Sequence, residues 1–70
     1  MTLGNKIRTR RQELKLTQPE LAEKTKLTQG YISRIENDKF IPKESTLLLL
    51  AASLDLPAKE LIGITERRAS

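Results

Sequence analysis

The sequence predicts an all-α fold, a compact domain of five short helices. Apolar residues make up 37% of the chain and are mostly Leu and Ile, with no Val, no Trp, one Tyr and one Phe. Strands favour β-branched and aromatic residues, so this composition favours helices. Seventy residues suffice for one small domain. We expect that domain over residues 1–64, followed by a frayed tail over residues 65–70 that has little apolar surface to bury.

The first predicted helix spans about residues 2–14. Leu3 and Ile7 recur on one of its faces and mark that face as buried. Arg10 and Arg11 fall at or beside the same face. A charged side chain at the margin of a core needs a partner or a route to water, so we expect one for each arginine.

The second predicted helix opens with a clear start signal. Thr17 can cap the helix, Pro19 is tolerated in its first turn, and Glu20 stands three residues after the cap, where a capping box requires it. Ala22 offers the short side chain that a close crossing of two helices needs. The helix runs to about Thr25.

A turn of about three residues leads to the third helix, which starts at Thr28 and ends near Asn37. Ile32 and Ile35 point inward and leave a polar face outward. Hydrogen-bonding side chains and one glycine form that face, as a helix entering a major groove requires; its members are Thr28, Gln29, Gly30, Ser33 and Arg34. Taken alone, the same pattern suits an ordinary solvated surface.

The fourth predicted helix, over about residues 44–54, is apolar all round at residues 47–52 and must be covered on more than one side. A short fifth helix carries Leu61 and Ile62. We expect the surplus apolar positions to form a homodimer interface, although the fifth helix and the tail could also cover them within one chain. These positions are Leu49, Ala52, Leu56 and Ile64.

Charge and composition exclude several classes of function. Thirteen basic and nine acidic residues give a net charge of +4, which suggests a polyanionic partner. With no Cys and no His, disulfides, Cys/His zinc sites and Ser-His or Cys-His nucleophile pairs are excluded. Two aromatic residues are too few for an RNA-stacking platform. The apolar run at residues 47–52 is far too short to span a bilayer. We expect no enzyme activity, no metal, no cofactor and no small-molecule ligand.

The motif from Leu16 to Ala22, followed by residues 28–37, closely resembles the lambdoid-repressor (Xre-type) helix-turn-helix family. The resemblance continues through Pro42 and the leucines of the fourth helix, and it covers about residues 3–62. It implies a five-helix lambda-repressor-like domain with the helix-turn-helix at helices 2 and 3, about residues 17–36. It further implies a sequence-specific double-stranded-DNA-binding transcriptional regulator, a repressor acting as a homodimer on a palindromic operator.

The resemblance also implies roles for single residues. In this family the residue matching Gln18 binds a phosphate and braces the residue matching Gln29, while the positions of Gln29, Gly30 and Arg34 face base edges. Asn37 and Lys39 match the family's phosphate-contacting loop, and we expect Lys43 and Tyr31 to contact phosphates as well, together with Gln18. Arg11 and Glu36 match a structural ion pair that links the first helix to the end of the third.

Three residues depart from the family pattern. Lys26 replaces the glycine usual in the helix-turn-helix turn, where a left-handed backbone is expected at a cost of about 1 kcal/mol. Asp55 replaces another glycine, and Asp tolerates that geometry better than most residues. Lys43 stands where the family has a Ser cap, which weakens the start of the fourth helix.

Two other interpretations compete with a repressor. An antitoxin-like module would use the same domain to neutralise a partner protein. A membrane-surface peptide would use the basic residues of the first helix, Lys6, Arg8, Arg10 and Arg11. The membrane-surface interpretation is disfavoured because the apolar face of the first helix has partners within the chain. The lack of Cys fits a reducing compartment, and we expect a cytoplasmic protein. The resemblance further implies a protein that is bacterial or phage-encoded and associated with the nucleoid when bound to DNA.

Overall fold

Five α-helices form the fold, and residues 1–69 contain no strand. The computed structural model describes residues 1–69, with side chains described through Thr65. The helices are α1 (Leu3–Glu13), α2 (Gln18–Thr25), α3 (Gln29–Glu36), α4 (Glu44–Ser53) and α5 (Ala58–Ala69). The all-α class and the placement of the helix-turn-helix at α2 and α3 are confirmed. The helical backbone of α5 continues to Ala69, longer than the short helix predicted. Fraying of residues 65–70 stays a prediction, and Ser70 lies outside the described residues.

All five helices contribute to one hydrophobic core. α1 packs on α3 and α5, α2 packs on α3 and α4, and α4 packs on α5. Full burial of a leucine or isoleucine contributes about 1.5–3 kcal/mol, so this cluster supplies the main drive to fold. The buried members are Leu3, Ile7, Leu21, Ala22, Ile32, Ile35, Leu47, Leu50, Ala51, Leu54 and Leu61.

Threonines cap the first three helices. The Thr17 hydroxyl accepts from the Glu20 backbone N–H at 3.2 Å, and the Thr17 backbone N–H donates to the Glu20 carboxylate at 2.8 Å. The capping box is therefore confirmed, and this backbone hydrogen bond lowers the pKa of Glu20. By contrast, Lys43 at the start of α4 makes no side-chain capping bond to the described residues, as predicted from its replacement of Ser.

Each of the helices α1 to α4 is followed by a non-glycine residue with a left-handed backbone. Their φ angles are 59° at Lys15, 60° at Lys26, 58° at Asp38 and 57° at Asp55. In each case the N–H of this residue and the N–H of the residue after it donate to carbonyls of the helix's last turn, which is the Schellman arrangement that satisfies helix C-terminal carbonyls. The left-handed geometry predicted at Lys26 and Asp55 is confirmed, and Lys15 and Asp38 repeat it.

Gly4 marks the closest approach between α1 and α3. A Cβ atom at this position would lie 2.5 Å from the carbonyl oxygens of Ile35 and Glu36, so the two backbones touch where the side chain is missing. We predicted a close crossing at Ala22, which is buried at 7% exposure. Gly4 was not singled out, although a glycine inside a predicted helix is a signal of close packing.

Arg10 finds its partners at the end of α4. Its Nε donates to the Leu54 carbonyl at 2.9 Å, one Nη donates to the Asp55 carbonyl at 3.4 Å, and the other lies 3.3 Å from the Glu13 carboxylate. The guanidinium thus neutralises the negative end of the α4 dipole and joins α1 to α4.

The outer face of α4 retains exposed apolar side chains. Leu49 is 39% exposed and Ala52 is also exposed, while Leu56 and Ile64 are half-buried against the core. Leu48, which we did not predict at this surface, is 44% exposed. Among the described residues, no helix has the length and hydropathy to cross a membrane.

Candidate nucleic-acid interface

The outward face of α3 is polar and open to solvent. Ile32 and Ile35 are 0% and 1% exposed and anchor the helix in the core. Of the five predicted base-contacting residues, Ser33 is half-buried and the other four are exposed; these are Thr28, Gln29, Gly30 and Arg34. The helical register predicted from the two isoleucines therefore places the predicted set on one accessible surface.

Some polar groups of this face already form hydrogen bonds within the protein, and others do not. The Thr28 hydroxyl accepts from the Tyr31 backbone N–H at 3.1 Å and acts as the cap of α3. Within the described residues, the side chains of Gln29 and Arg34 make no hydrogen bond or ion pair. Apart from its neighbours in α3, a Cβ built on Gly30 has no atom within 4 Å. The donors and acceptors of Gln29 and Arg34 are free to bind a ligand.

A buried carboxylate fixes the end of α3. The Arg11 guanidinium lies 2.7 Å and 3.0 Å from the two oxygens of Glu36, so the predicted ion pair is present. The Glu36 side chain is 0% exposed and that of Arg11 is 12% exposed. Two further donors reach the same carboxylate, Gln18 Nε2 at 3.1 Å and Arg8 Nε at 3.4 Å. One side chain thus connects α1, α2 and α3.

The protonation of this pair follows from its contacts. Burial raises the pKa of Glu36, but hydrogen bonds from Arg11 and Gln18, the charge of Arg11 and a hydrogen bond from Arg8 outweigh it and leave the pKa below its usual value. The hydrogen bond to Glu36 raises the pKa of Arg11 against the smaller effect of its own burial. Both groups are therefore charged at neutral pH, and α3 is held by an ion pair.

Gln18 stands at the first position of α2, where helix N–H groups favour an anion. Its amide donates to Glu36 and makes no hydrogen bond to Gln29 among the described residues. The brace from Gln18 to Gln29 that the resemblance implies is therefore missing here. The buried carboxylate of Glu36 competes for the amide N–H because a charged acceptor binds it more strongly than a neutral one.

The other predicted phosphate contacts lie at the end of α3 and after it. Asn37, Lys39 and Lys43 are exposed, and Tyr31 is half-buried. Asn37 is held in place, because its Oδ1 accepts from Arg8 at 3.1 Å and its Nδ2 donates to the Ser33 carbonyl at 2.8 Å. Neither lysine forms an ion pair within the described residues.

Three residues near this interface were missed by the sequence analysis. Arg8 joins Glu36 and Asn37 across 28 and 29 positions of sequence, which no local pattern predicts. Asp38 accepts from the Gly4 backbone N–H at 3.0 Å and ties the segment after α3 to the start of α1. Phe40 packs against Tyr31 and Arg34. For Asp38 a signal existed, since Asn-Asp at a helix end is typical of a left-handed turn.

A family model described as helix-turn-helix matches residues 7–61. The chain is also 41% identical over 63 residues to the immunity repressor protein of Bacillus phage phi105. That match covers 90% of this chain and 44% of the relative, so the chain spans less than half of the relative's length.

Among solved structures, the fold is similar to that of SinR, the master regulator for biofilm formation, in a crystal structure of SinR in complex with DNA. The TM-score is 0.81 at 31% sequence identity, and the match covers 87% of this chain and 98% of the SinR chain. The relative is a phage repressor, and the structural neighbour is a regulator that binds DNA.

Proposed function

The chain belongs to the helix-turn-helix family, and from that membership we propose that it is a sequence-specific, double-stranded-DNA-binding transcriptional repressor. One observation carries the proposal: α3 presents Gln29 and Arg34 with unused hydrogen-bonding groups on a helix whose opposite face is locked in the core. The repressor name of the phage relative and the DNA-bound state of SinR support the same activity. We assign the chain no enzymatic role.

In this proposal α3 lies in the major groove. Gln29 pairs with an adenine edge and Arg34 with a guanine edge, since these are the bidentate pairings that their geometry permits. Thr28 and Ser33 supply single hydrogen bonds, and Gly30 allows the helix backbone to approach the bases closely.

Backbone phosphates set the position of α3 in the groove. The proposed contacts are Gln18, Tyr31, Asn37, Lys39 and Lys43, which lie on α2, on α3 and in the segment that leads to α4. A net charge of +4 favours approach to DNA whatever its sequence. The side-chain NH2 group of Gln18 donates one hydrogen to Glu36 and can donate its second hydrogen to a phosphate.

The repressor acts as a homodimer on a palindromic operator in the cytoplasm of its bacterial host. Half-sites one helical turn apart lie about 34 Å from each other, and the domain measures 33 × 22 × 21 Å, so neighbouring copies come within reach. The exposed apolar residues of α4, Leu49 and Ala52, form the contact, with Leu56 and Ile64 beside them.

Selection of binding sites from random duplex DNA tests the function. We expect a palindromic consensus whose half-sites are one turn apart, and binding that requires intact Gln29 and Arg34. Selection that enriches no sequence would overturn the proposal and favour the antitoxin-like module. Binding of this chain to a purified partner protein would then test that alternative.

A further inference from the structure

The ring of Phe40 lies against the guanidinium of Arg34. The Arg34 Cζ atom stands over the ring at 5.5 Å from its centroid, within the range of a cation–π contact. Phe40 is half-buried and packs against the core, whereas Arg34 is exposed. The ring is therefore the fixed member of the pair, and the guanidinium is the group that it restrains.

The way α3 ends puts Phe40 in this place. Asp38 has a left-handed backbone, and its N–H donates to the Ile35 carbonyl at 3.0 Å. The Lys39 N–H donates to the Arg34 carbonyl, also at 3.0 Å. These two bonds reverse the chain at the helix end. The next residue, Phe40, consequently lies back along the last turn of α3 rather than beyond it.

A second aromatic side chain supports the ring. Tyr31 and Phe40 have centroids 5.2 Å apart and planes at 69°, the edge-to-face geometry that aromatic pairs prefer. Tyr31 and Arg34 are three residues apart on α3, so they are neighbours on one helical face. Phe40 thus contacts two adjacent side chains of α3. Tyr31 supports the ring of Phe40, and that ring restrains Arg34.

We propose that Phe40 is a positioning residue that determines specificity, because it holds Arg34 ready to donate to a base edge. A cation–π contact leaves the N–H donors of the guanidinium available, and Arg34 has no other polar partner within the described residues. An arginine that is restrained beforehand loses less rotamer freedom when it binds. The inference rests on the proposed function and assigns that function a residue outside the helix-turn-helix.

Two substitutions separate the aromatic face from the bulk of the side chain. Phe40→Leu keeps an apolar side chain and removes the ring, while Phe40→Tyr keeps the ring. The measurement is the ratio of affinities for the selected operator and for the same operator changed at the base pair that Arg34→Ala no longer discriminates. We expect Phe40→Leu to lower this ratio about two- to fivefold, the factor that an exposed cation–π contact supplies. Phe40→Tyr should retain the ratio, and Phe40→Leu should have no further effect in the Arg34→Ala background.

Leu14→Ala is the matched control, since Leu14 is also a half-buried apolar residue at the edge of the core. It should lower stability and leave the affinity ratio unchanged. If Phe40→Leu discriminates as well as the wild type, Phe40 only fills space and the inference is wrong. If the wild type itself selects no sequence, the proposed function fails instead, so the two failures are distinct.

An NMR measurement on the wild type keeps the inference testable if Phe40→Leu does not fold. Protons attached to carbons over an aromatic ring resonate upfield, so the Arg34 side-chain methylenes should be shifted upfield from their random-coil values. Random-coil shifts for these protons would overturn the inference, since Arg34 would then spend its time away from the ring.

Discussion

The carboxylate of Glu36 accepts hydrogen bonds from Arg8, Arg11 and Gln18, which come from two other helices. None of these contacts faces a base in the proposed complex. Their effect is on the orientation of α3, because an ion pair with two parallel hydrogen bonds permits little rotation of the helix end. The residue that fixes the orientation of α3 is therefore distinct from the residues that we propose to contact bases.

Glu36→Gln should lower the free energy of unfolding by about 3 kcal/mol, because it leaves the nearly buried charge of Arg11 without a counter-charge. Urea denaturation at neutral pH measures the change. Glu23→Gln, at an exposed position of α2, removes the same charge and should change stability by less than about 0.5 kcal/mol. Equal effects of the two substitutions would show that the ion pair contributes nothing specific.

The depressed pKa of Glu36 makes stability depend on pH in a defined direction. The unfolded chain takes up a proton at this side chain near pH 4.5, whereas the folded protein does so only at lower pH. The stabilisation is therefore fully present above about pH 4.5 and is lost as the pH falls through the folded pKa. Melting temperatures between pH 7 and pH 3 should fall more steeply for the wild type than for Glu36→Gln. Parallel curves would contradict the assignment.

Arg34→Ala should weaken binding to the selected operator by about 1–3 kcal/mol. It should also reduce the base preference at one position of the operator, which we expect to be a G·C pair. The reason is the loss of a bidentate base contact. Binding assays on single-base variants of the operator measure it, with Lys39→Ala as the phosphate-contact comparison. A uniform loss across all variants would identify Arg34 as a phosphate contact instead.

Residues of the site were predictable to different degrees. The face that carries Gln29 and Arg34 followed from the helical period once Ile32 and Ile35 were taken as buried. The pair of Arg11 and Glu36 followed only from the family resemblance. The contacts of Arg8 with Glu36 and of Phe40 with Arg34 were not predictable. The first depends on how two distant segments cross, and the second depends on how the chain turns after α3.

At the scale of elements, the ends of the helices distinguish this chain. Each of the helices α1 to α4 is followed by a residue with a left-handed backbone, and in every case that residue is Lys or Asp and not glycine. A side chain in this conformation costs about 1 kcal/mol relative to glycine. The helix starts, by contrast, follow the capping rules closely, with threonine at three of them.

Lys26→Gly should therefore raise the free energy of unfolding by about 1 kcal/mol. Lys24→Gly, inside α2 and also exposed, provides the control and should lower it by up to about 1 kcal/mol, since glycine is a poor helix former. Thermal or urea unfolding of both variants measures the difference. A destabilised Lys26→Gly variant would mean that the lysine side chain makes a contribution larger than its backbone strain.

The helices themselves were predictable because their signals are local. The threonine caps and the prolines at residues 19, 42 and 57 locate the starts of α2 to α5 within a few residues. The end of α5 carries no such signal, and this helix continues to Ala69, beyond the predicted limit. The contact between Gly4 and α3 was not predicted, because it depends on the angle at which α1 crosses a helix 31 or more positions away, at Ile35 and Glu36.

At the scale of the whole molecule, the proposed homodimer depends on the apolar surface of α4. Leu49→Glu should disrupt homodimers and leave the helical fold mostly intact, since Leu49 is 39% exposed and outside the buried core. DNA affinity should then drop steeply although no DNA contact has changed. Sedimentation at micromolar concentration with circular dichroism tests this, and Gln12→Glu on α1 adds the same charge elsewhere. A monomeric wild type, or a Leu49→Glu chain that unfolds, would contradict the interface.

Affinity for DNA should depend strongly on salt. Two of the proposed phosphate contacts are lysines, Lys39 and Lys43, so a dimer neutralises about four phosphates and gives a slope of about −4 for log K against log salt concentration. Lys39→Ala should make the slope shallower by about two in the dimer, one for each copy. Titration of the selected operator measures both slopes, and an affinity nearly independent of salt would contradict the proposed phosphate contacts.

Gly30 gives the recognition helix room to acquire new preferences. Apart from its neighbours in α3, a Cβ there meets nothing within 4 Å in the described part of the chain, so a side chain at this position begins in open space and not against the core. Most replacements would also strengthen α3, since glycine is among the weakest helix formers. A single substitution at Gly30 can thus change the preferred operator without lowering the stability of the domain. In the proposed complex, residue 30 is the position where a new base contact can arise at no cost to the fold.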